Sequence, residues 1–306
     1  MSNGSYPYLW GKDRINQPRL PLDRRTSTAS CYPAAGAGVH VFVLDTGCTP
    51  SHEQFSHLGD RLTIRAAPGS AFPSGVDDGR HGTHVAATIA GAATGVAPRV
   101  NLTCIKVLKA DNSGSSLDVL AALDVVVAWA AAHPTVPAVL SASFGGRRRA
   151  GAPDMLAAAA ARVTAAGVVF VGSAGNEGDD ACAYTPAVEP SVVAVANAAV
   201  DDSLADTSNR GACVTLIAPG TRIVSADAAS ADGRGLVAMT GTSMAAPHVS
   251  GLAALVLGEV GRRLPLARLL PALNGGGVTA AGLPLAWVDP HVCDWGALRG
   301  NGTEVV

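Results

Sequence analysis

The chain has 306 residues, with 22 basic and 24 acidic side chains and a formal net charge of −2, a balance that gives no electrostatic reason to bind nucleic acid or an anionic membrane. Hydrophobic residues make up 48% but aromatics only 4%, and the excess of Ala, Val and Gly suits close packing of helices on a sheet. No run reaches the roughly 18 to 20 uninterrupted apolar residues of a membrane span, and the six cysteines fit neither a dense disulfide scaffold nor a zinc motif with paired close spacing.

In chain order, Met1–Ser5 lacks the charged-then-apolar layout of a secretory signal. Val39–Leu44 is a short β-branched run of the kind found in buried parallel strands, and it ends in Asp45-Thr46-Gly47. Gly79-Arg80-His81-Gly82-Thr83-His84 leads into a small-residue helical pattern over Gly82–Gly91. Further strands are predicted at Val100–Leu108, Ala138–Ser143, Val168–Gly172, Val192–Ala196 and Cys213–Ile217, with helices at Ser116–Ala132, Pro153–Ala166 and Ser243–Gly258. Strands spaced by helices form βαβ units with right-handed crossovers, so the expected class is α/β with a mostly parallel central sheet flanked by helices. No helix separates the strands on either side of Asn197–Asn209, so the later part of the sheet is expected to be antiparallel. Arg147-Arg148-Arg149, the basic run, reads as a solvated loop. No repeat or linker divides the chain, which is expected to form one domain over 1–306. The pattern weakens after Leu264: a helix stops at Leu273-Asn274-Gly275-Gly276-Gly277, Gly282–Trp295 has weak strand character, and this tail is expected to be a surface appendix closing the sheet's edge.

Gly241-Thr242-Ser243-Met244-Ala245-Ala246-Pro247-His248 puts a hydroxyl among small residues at a helix start. A serine there is most often a cap, but free N–H groups and the helix dipole also favour developing negative charge. Asp45 stands at the carboxyl end of a parallel strand, where ligand and catalytic groups collect. A serine nucleophile needs a base, and the base needs an acid to fix its tautomer and stabilise its cation. Asp45, His81 and Ser243 supply those three parts, in an order used by one known hydrolase class.

The segments DTG, HGTH and GTSMAAPH together resemble the subtilisin-like serine proteases, and nearest the proteinase K/aqualysin branch, from about Trp10 to about Leu257. DTG alone also occurs in aspartic proteases, but a second such segment is absent here. The resemblance implies a three-layer sandwich and a serine endopeptidase that needs no catalytic cofactor, with catalytic Asp45, His81 and Ser243. It makes Asn176 an oxyanion donor beside the Ser243 amide. It also implies that Ser113, Gly114 and Ser115, and Ser143, Phe144, Gly145 and Gly146, flank an extended substrate. Glycines there let a second backbone come close. Phe144–Gly146, Ser173, Ala174, Gly175 and Tyr184 are expected to wall the pocket for the residue before the cut. Since these segments hold no carboxylate, apolar and aromatic side chains are expected to be preferred. Ser116 stands where proteinase K-like enzymes often carry Tyr, which implies looser selection farther from the cut.

By the same resemblance Cys182 pairs with Cys213, while the partners of Cys31, Cys48, Cys104 and Cys293 stay open. Asp13, Asn16, Gln17 and Asp23 resemble a structural calcium site. Thr215 occupies the place of a key carboxylate in the family's other common site, which is expected to be weak or empty. His84 and His248 are expected to be buried structural residues. The family's inhibitory propeptide is not recognisable, so the chain is expected to be a mature form or an incompletely read gene. A secreted, monomeric enzyme acting on peptides and proteins is the expectation, with no nucleic-acid or membrane partner.

Overall fold

The computed structural model describes residues 8–28, 30–149, 151–274, 282–289 and 295–299. The helices are α1 (Trp10–Arg14), α2 (His81–Ala90), α3 (Ser116–Ala132), α4 (Met155–Ala165), α5 (Thr242–Val260), α6 (Leu266–Asn274) and α7 (Gly296–Arg299). The strands are β1 (His40–Asp45), β2 (Leu62–Ala66), β3 (Asn101–Lys106), β4 (Ala138–Ala142), β5 (Gly146–Arg147), β6 (Val168–Ser173), β7 (Tyr184–Thr185), β8 (Val193–Ala198), β9 (Leu216–Pro219), β10 (Ile223–Ala226) and β11 (Leu236–Met239). Seven of them form one sheet in the order β2-β3-β1-β4-β6-β8-β9, parallel throughout.

Period-two alternation sends side chains to two separate cores, one on each face of the sheet. Val41, Val43, Val139, Val171 and Val195 pack with Val85 and Ile89 of α2 and Leu252 and Val256 of α5. Phe42, Leu44, Leu140 and Phe170 pack on the opposite face with Leu123 and Val126 of α3 and Val163 of α4. Helices on both faces make the three-layer α/β architecture. α5 is long and apolar enough to cross a membrane, but its apolar stretch is 89% buried in the protein; it is a core helix.

Two expectations are corrected. The later part of the sheet is not antiparallel: β8 and β9 run parallel, Val195 opposite Leu216. The connection, residues 199–215, exceeds the dozen or so residues that a parallel crossover needs, so no helix is required. Among the described residues antiparallel pairing is found in β10–β11, in the short β5–β7 pair and in the isolated bridges Leu108–Gly114 and Ala198–Leu204. The described tail residues do close the sheet's edge, but they are buried there and are not a surface appendix. Ile217 N–H donates to Pro284 O (2.9 Å) and Ala286 N–H to Ile217 O (2.8 Å), covering the outer edge of β9. Leu285, Ala286, Trp287 and Val288 are buried, because an edge strand leaves donors and acceptors that something must satisfy.

Cys182 and Cys213 form a disulfide. A second joins Cys48, just beyond β1, to Cys104 on β3. Cys31 is disulfide-bonded as well, and Cys293 lies outside the described residues.

Candidate active site

Asp45 ends β1, Ser143 follows β4 and Ser173 ends β6, so the parallel sheet collects all three at one edge. Asp45 is fully buried. Its Oδ1 accepts from the Thr46 amide (2.7 Å) and from His81 Nδ1 (2.7 Å); its Oδ2 is buried with no hydrogen-bond partner. A carboxylate only accepts, so the imidazole proton sits on Nδ1 and Nε2 is left to act as a base. Burial opposes the imidazolium of His81, but the charge and hydrogen bond of Asp45 and the charge of Asp77 outweigh it, so His81 lies above the ordinary histidine range.

Asp77 holds the loop that presents His81. Its Oδ1 accepts from Thr46 Oγ1 (2.7 Å), Gly79 N (2.8 Å) and Arg80 N (2.9 Å), and its Oδ2 from Thr83 N (2.8 Å) and Thr83 Oγ1 (2.6 Å). Thr46 Oγ1 in turn accepts from Gly82 N (2.8 Å), and the buried Lys106 donates to Thr46 O (2.8 Å). A Cβ on Gly82 would stand 2.2 Å from Gly47 O, and Gly47 itself has φ +107°, so both glycines are required by close approach. Arg80, the residue before His81, is left-handed at φ 72°, a conformation that costs a side chain about 1–2 kcal/mol. Its guanidinium grips Asp227 at 2.8 and 2.6 Å. Asp77, Asp227 and Lys106 carry no motif that marks them in the sequence; only the fold brings them under the His81 loop.

Ser243 is the second residue of α5, and α5 packs against α2. Its hydroxyl donates to Ser143 O (3.2 Å) and makes no hydrogen bond to His81 in this conformer. Ser143 Oγ donates back to Ser243 O (3.1 Å). Pro247 lacks the N–H that would bond that carbonyl four residues earlier, so Ser143 satisfies the group the proline orphans.

Asn176 Oδ1 accepts from the Thr242 amide (2.9 Å) and the Thr242 hydroxyl (3.2 Å). Two donors on Oδ1 fix the amide orientation, so Nδ2 is the donor end of the group. The fully buried Asn209 shapes the same loop: Nδ2 donates to Ala174 O (3.0 Å) and Glu177 Oε2 (2.8 Å), and Oδ1 accepts from Glu177 N (3.1 Å) and Asp179 N (3.0 Å). Ser173 and Ala174 are buried beneath this loop.

A Cβ on Gly114 would meet Leu108 Cδ2 at 2.5 Å and one on Gly145 would meet Thr185 O at 2.6 Å, whereas Gly146 has nothing within 4 Å. At the first two positions the Cβ direction is filled by this chain's own atoms; at Gly146 it is open. Ser115 caps α3 by accepting from Leu117 N (3.2 Å), and Ser113 Oγ donates to Asp111 (2.6 Å). Ser116, Leu117, Phe144, Gly146 and Met155 border a cavity of about 480 Å³.

Tyr184 is buried, its strand paired antiparallel with Gly146–Arg147. The pocket segments themselves hold no carboxylate, but the fold brings two from outside them alongside. Tyr184 Oη lies 3.3 Å from Asp179 Oδ2, and Glu177 Oε2 lies 2.7 Å from where a Gly175 Cβ would be. Both acids come from a loop whose folding, through Asn209, is tertiary. The arginine run is not simply solvated: Arg147 pairs with Asp179 (2.5 Å) and Arg148 with Asp154 (2.9 Å).

Near the N-terminus Asp13 is fully buried with Oδ1 unpartnered. Its Oδ2 accepts from the Tyr8 hydroxyl and from Arg24 N (2.8 Å). Burial raises the Asp13 carboxyl above the ordinary range, Tyr8 and Arg24 pull it down, and Asp23 pushes it up again. Asn16 Nδ2 donates to Arg25 O (2.7 Å), Gln17 Nε2 to Arg19 O (2.5 Å) and Pro21 O (2.9 Å), and Gln17 Oε1 accepts from Asp23 N (3.1 Å). The amide nitrogens are spent on backbone carbonyls, and oxygens of this kind are the donors a hard cation takes. Among the described residues no group of three or more His, Cys, Asp or Glu is placed to hold a metal, so a site here would rely on amide oxygens beside two carboxylates. Thr215 Oγ1 accepts from Ala194 N (3.2 Å). His84 and His248 are buried, each bonded to a backbone carbonyl, Ile223 O and Met244 O (both 2.9 Å), and burial lowers each to about 4.

A family model described as the subtilase family, Peptidase_S8, matches residues 36–265. An extracellular serine proteinase of Thermus sp. (strain Rt41A) is 42% identical over 251 residues, 82% of this chain and 57% of that protein. Alkaline serine exoprotease A of Vibrio alginolyticus is 40% identical over 255 residues, 82% of this chain and 43% of that protein. The chain thus spans about half the length of these relatives. The crystal structure of a cold adapted subtilisin-like serine proteinase superposes with TM-score 0.76 at 36% identity, covering 92% of this chain and 97% of that one. With the Asp45–His81 pair at one edge of a parallel sheet and the family match running across three quarters of the length, this chain belongs to the subtilase family.

Proposed function

We propose that the chain is a serine endopeptidase that cuts peptide bonds through an acyl-enzyme intermediate, with Ser243 as nucleophile, His81 as general base and acid, and Asp45 as the group that orients His81. The observation that carries this reading is the 2.7 Å bond from His81 Nδ1 to a fully buried Asp45, in a chain whose α5 helix begins at Thr242-Ser243. A torsion about the Ser243 Cα–Cβ bond turns its hydroxyl from Ser143 O toward His81 Nε2. As the hydroxyl oxygen attacks the scissile carbonyl, its proton passes to Nε2, and the new imidazolium is held by Asp45. The oxyanion receives the Asn176 amide and the Ser243 N–H. His81 then protonates the leaving amine, and water repeats the sequence to free the acid.

A serine-directed fluorophosphonate tests this directly. It should label the natural chain and not Ser243→Ala, and product mass spectrometry should show internal cleavage of a protein substrate. Labelling that persists in Ser243→Ala would sink the assignment. Asn176→Ala should lower kcat by about 10²–10³-fold with little change in KM, the scale seen when subtilisin loses its side-chain oxyanion donor; an unchanged kcat would remove Asn176 from the reaction.

The substrate reading is an extended peptide running beside Ser113–Ser115 and Ser143–Gly146, with an apolar or aromatic residue before the cut held among Phe144, Gly146, Ser173–Gly175 and Tyr184. The wide cavity beside Ser116 supports loose selection farther away. Secretion is proposed from the extracellular relative, together with action as a monomer after removal of a propeptide. No catalytic cofactor enters the reaction. We assign a structural calcium to Asp13, Asn16, Gln17 and Asp23, supported by the orphaned Asp13 Oδ1. Chelation should lower the melting temperature by several degrees and Asp13→Ala should abolish that shift; equal melting with and without chelator would refute the site.

A further inference from the structure

The reading of Tyr184 as a pocket wall leaves a question about charge. Two carboxylates, Glu177 and Asp179, stand against the segments proposed to receive the side chain before the cut, yet that pocket is read as apolar. Their partners differ. Glu177 is held by the neutral amide of Asn209 (2.8 Å). Asp179 meets a full positive charge: Arg147 reaches Asp179 Oδ2 at 2.5 Å and the Tyr184 hydroxyl at 3.1 Å. The same guanidinium lies 5.5 Å from the centroid of the Tyr184 ring, within cation–π range. The backbone sets this meeting, because Arg147 is the register partner of Tyr184 in the β5–β7 pair. The Asp180 amide and Arg147 together hold Asp179 below the ordinary carboxylate range, so it is ionised throughout the neutral region.

We propose that Arg147 is a specificity-determining residue: its guanidinium cancels Asp179 at the Tyr184 wall and thereby excludes lysine and arginine side chains from the position before the cut. Without this cation the wall presents two acids, and a substrate ammonium would take the place the guanidinium held. The proposal rests on the serine-endopeptidase reading and on Tyr184 lining that pocket. It requires no movement of the backbone, since 65% of the Arg147 side chain is exposed and its loss leaves no cavity.

The test uses three chromogenic tetrapeptides that differ only in the residue before the cut, Phe, Lys or Glu. Arg147→Gln keeps most of the aliphatic stem over the ring and removes the charge. It should raise the Lys/Phe ratio of kcat/KM about tenfold at low ionic strength, the effect of unit charges about 6 Å apart at an effective dielectric near 40. Salt at about 0.5 M should shrink that gain by screening. The gain should vanish in Arg147→Gln/Asp179→Asn, and Asp179→Asn alone should raise the Glu/Phe ratio instead. A Lys/Phe ratio in Arg147→Gln within twofold of the natural chain, or a gain that survives in the double variant, would overturn the proposal. Turnover of the Phe peptide by the natural chain, lost in Ser243→Ala, reports separately on the peptidase reading; without that turnover both readings fall.

Discussion

Ser243→Ala is expected to lower kcat by about a millionfold, and adding His81→Ala should cost almost nothing more. On the proposed mechanism the nucleophile and its base act as one unit, so removing either removes the same step; in subtilisin single losses of Ser or His are about as severe as loss of the whole triad. What remains should exceed the uncatalysed rate by about 10³–10⁴-fold, because the oxyanion donors and substrate binding survive. Stopped assays with a peptide anilide at saturating concentration measure this. Additive losses in the double variant would mean that Ser243 and His81 serve separate steps. The fold should persist, since Ser243→Ala removes one 3.2 Å bond to Ser143 O and keeps the Ser143 Oγ bond to the Ser243 carbonyl.

Asp45→Asn is expected to lower kcat by about 10⁴-fold and also to move the acid limb of the pH profile. An asparagine amide facing His81 donates where the carboxylate accepted, which forces the proton onto Nε2 and blocks the base. The reaction needs neutral His81. In the natural chain Asp45 and Asp77 outweigh burial and raise His81, so kcat/KM should rise with pH through a midpoint above about 6.5. In Asp45→Asn burial persists while the largest favourable charge is gone, so the midpoint should fall toward or below that value. An acid limb that stays in place would show that Asp45 does not set the titration of His81. The sign for stability follows from the same shift. A raised folded value favours the native state fully below the unfolded value near 6.5, and the contribution is lost as pH rises through the folded value.

Much of the architecture is legible in the residues. Val39–Leu44 reads as a buried strand because parallel strands covered on both faces are continuous β-branched runs, and β1 is His40–Asp45. The predicted Ser116–Ala132 helix matches α3, with Ser115 as its cap. Weak signals failed where elements are short or half-exposed. β2 has alternating burial at the sheet edge, and β10 and β11 span four residues each, too few for periodicity to emerge. The direction of β9 is not legible in the sequence, because a helix-free connection can still cross over.

The α/β class is legible in the alternation of strand and helix patterns, and the family and the three candidate triad residues in short local motifs; Asn176 stands out only through the family resemblance. The tertiary structure alone decided how those groups are held: the proton on His81 Nδ1, the Asp77 and Arg80 clamps on its loop, the Thr242 bonds that orient Asn176, and the Ser143–Ser243 exchange. It also decided that Asp179 and Arg147 meet at Tyr184. Those contacts join residues from 2 to 147 positions apart, and hydrogen bonds and charges act over a few ångströms in space, not along the chain.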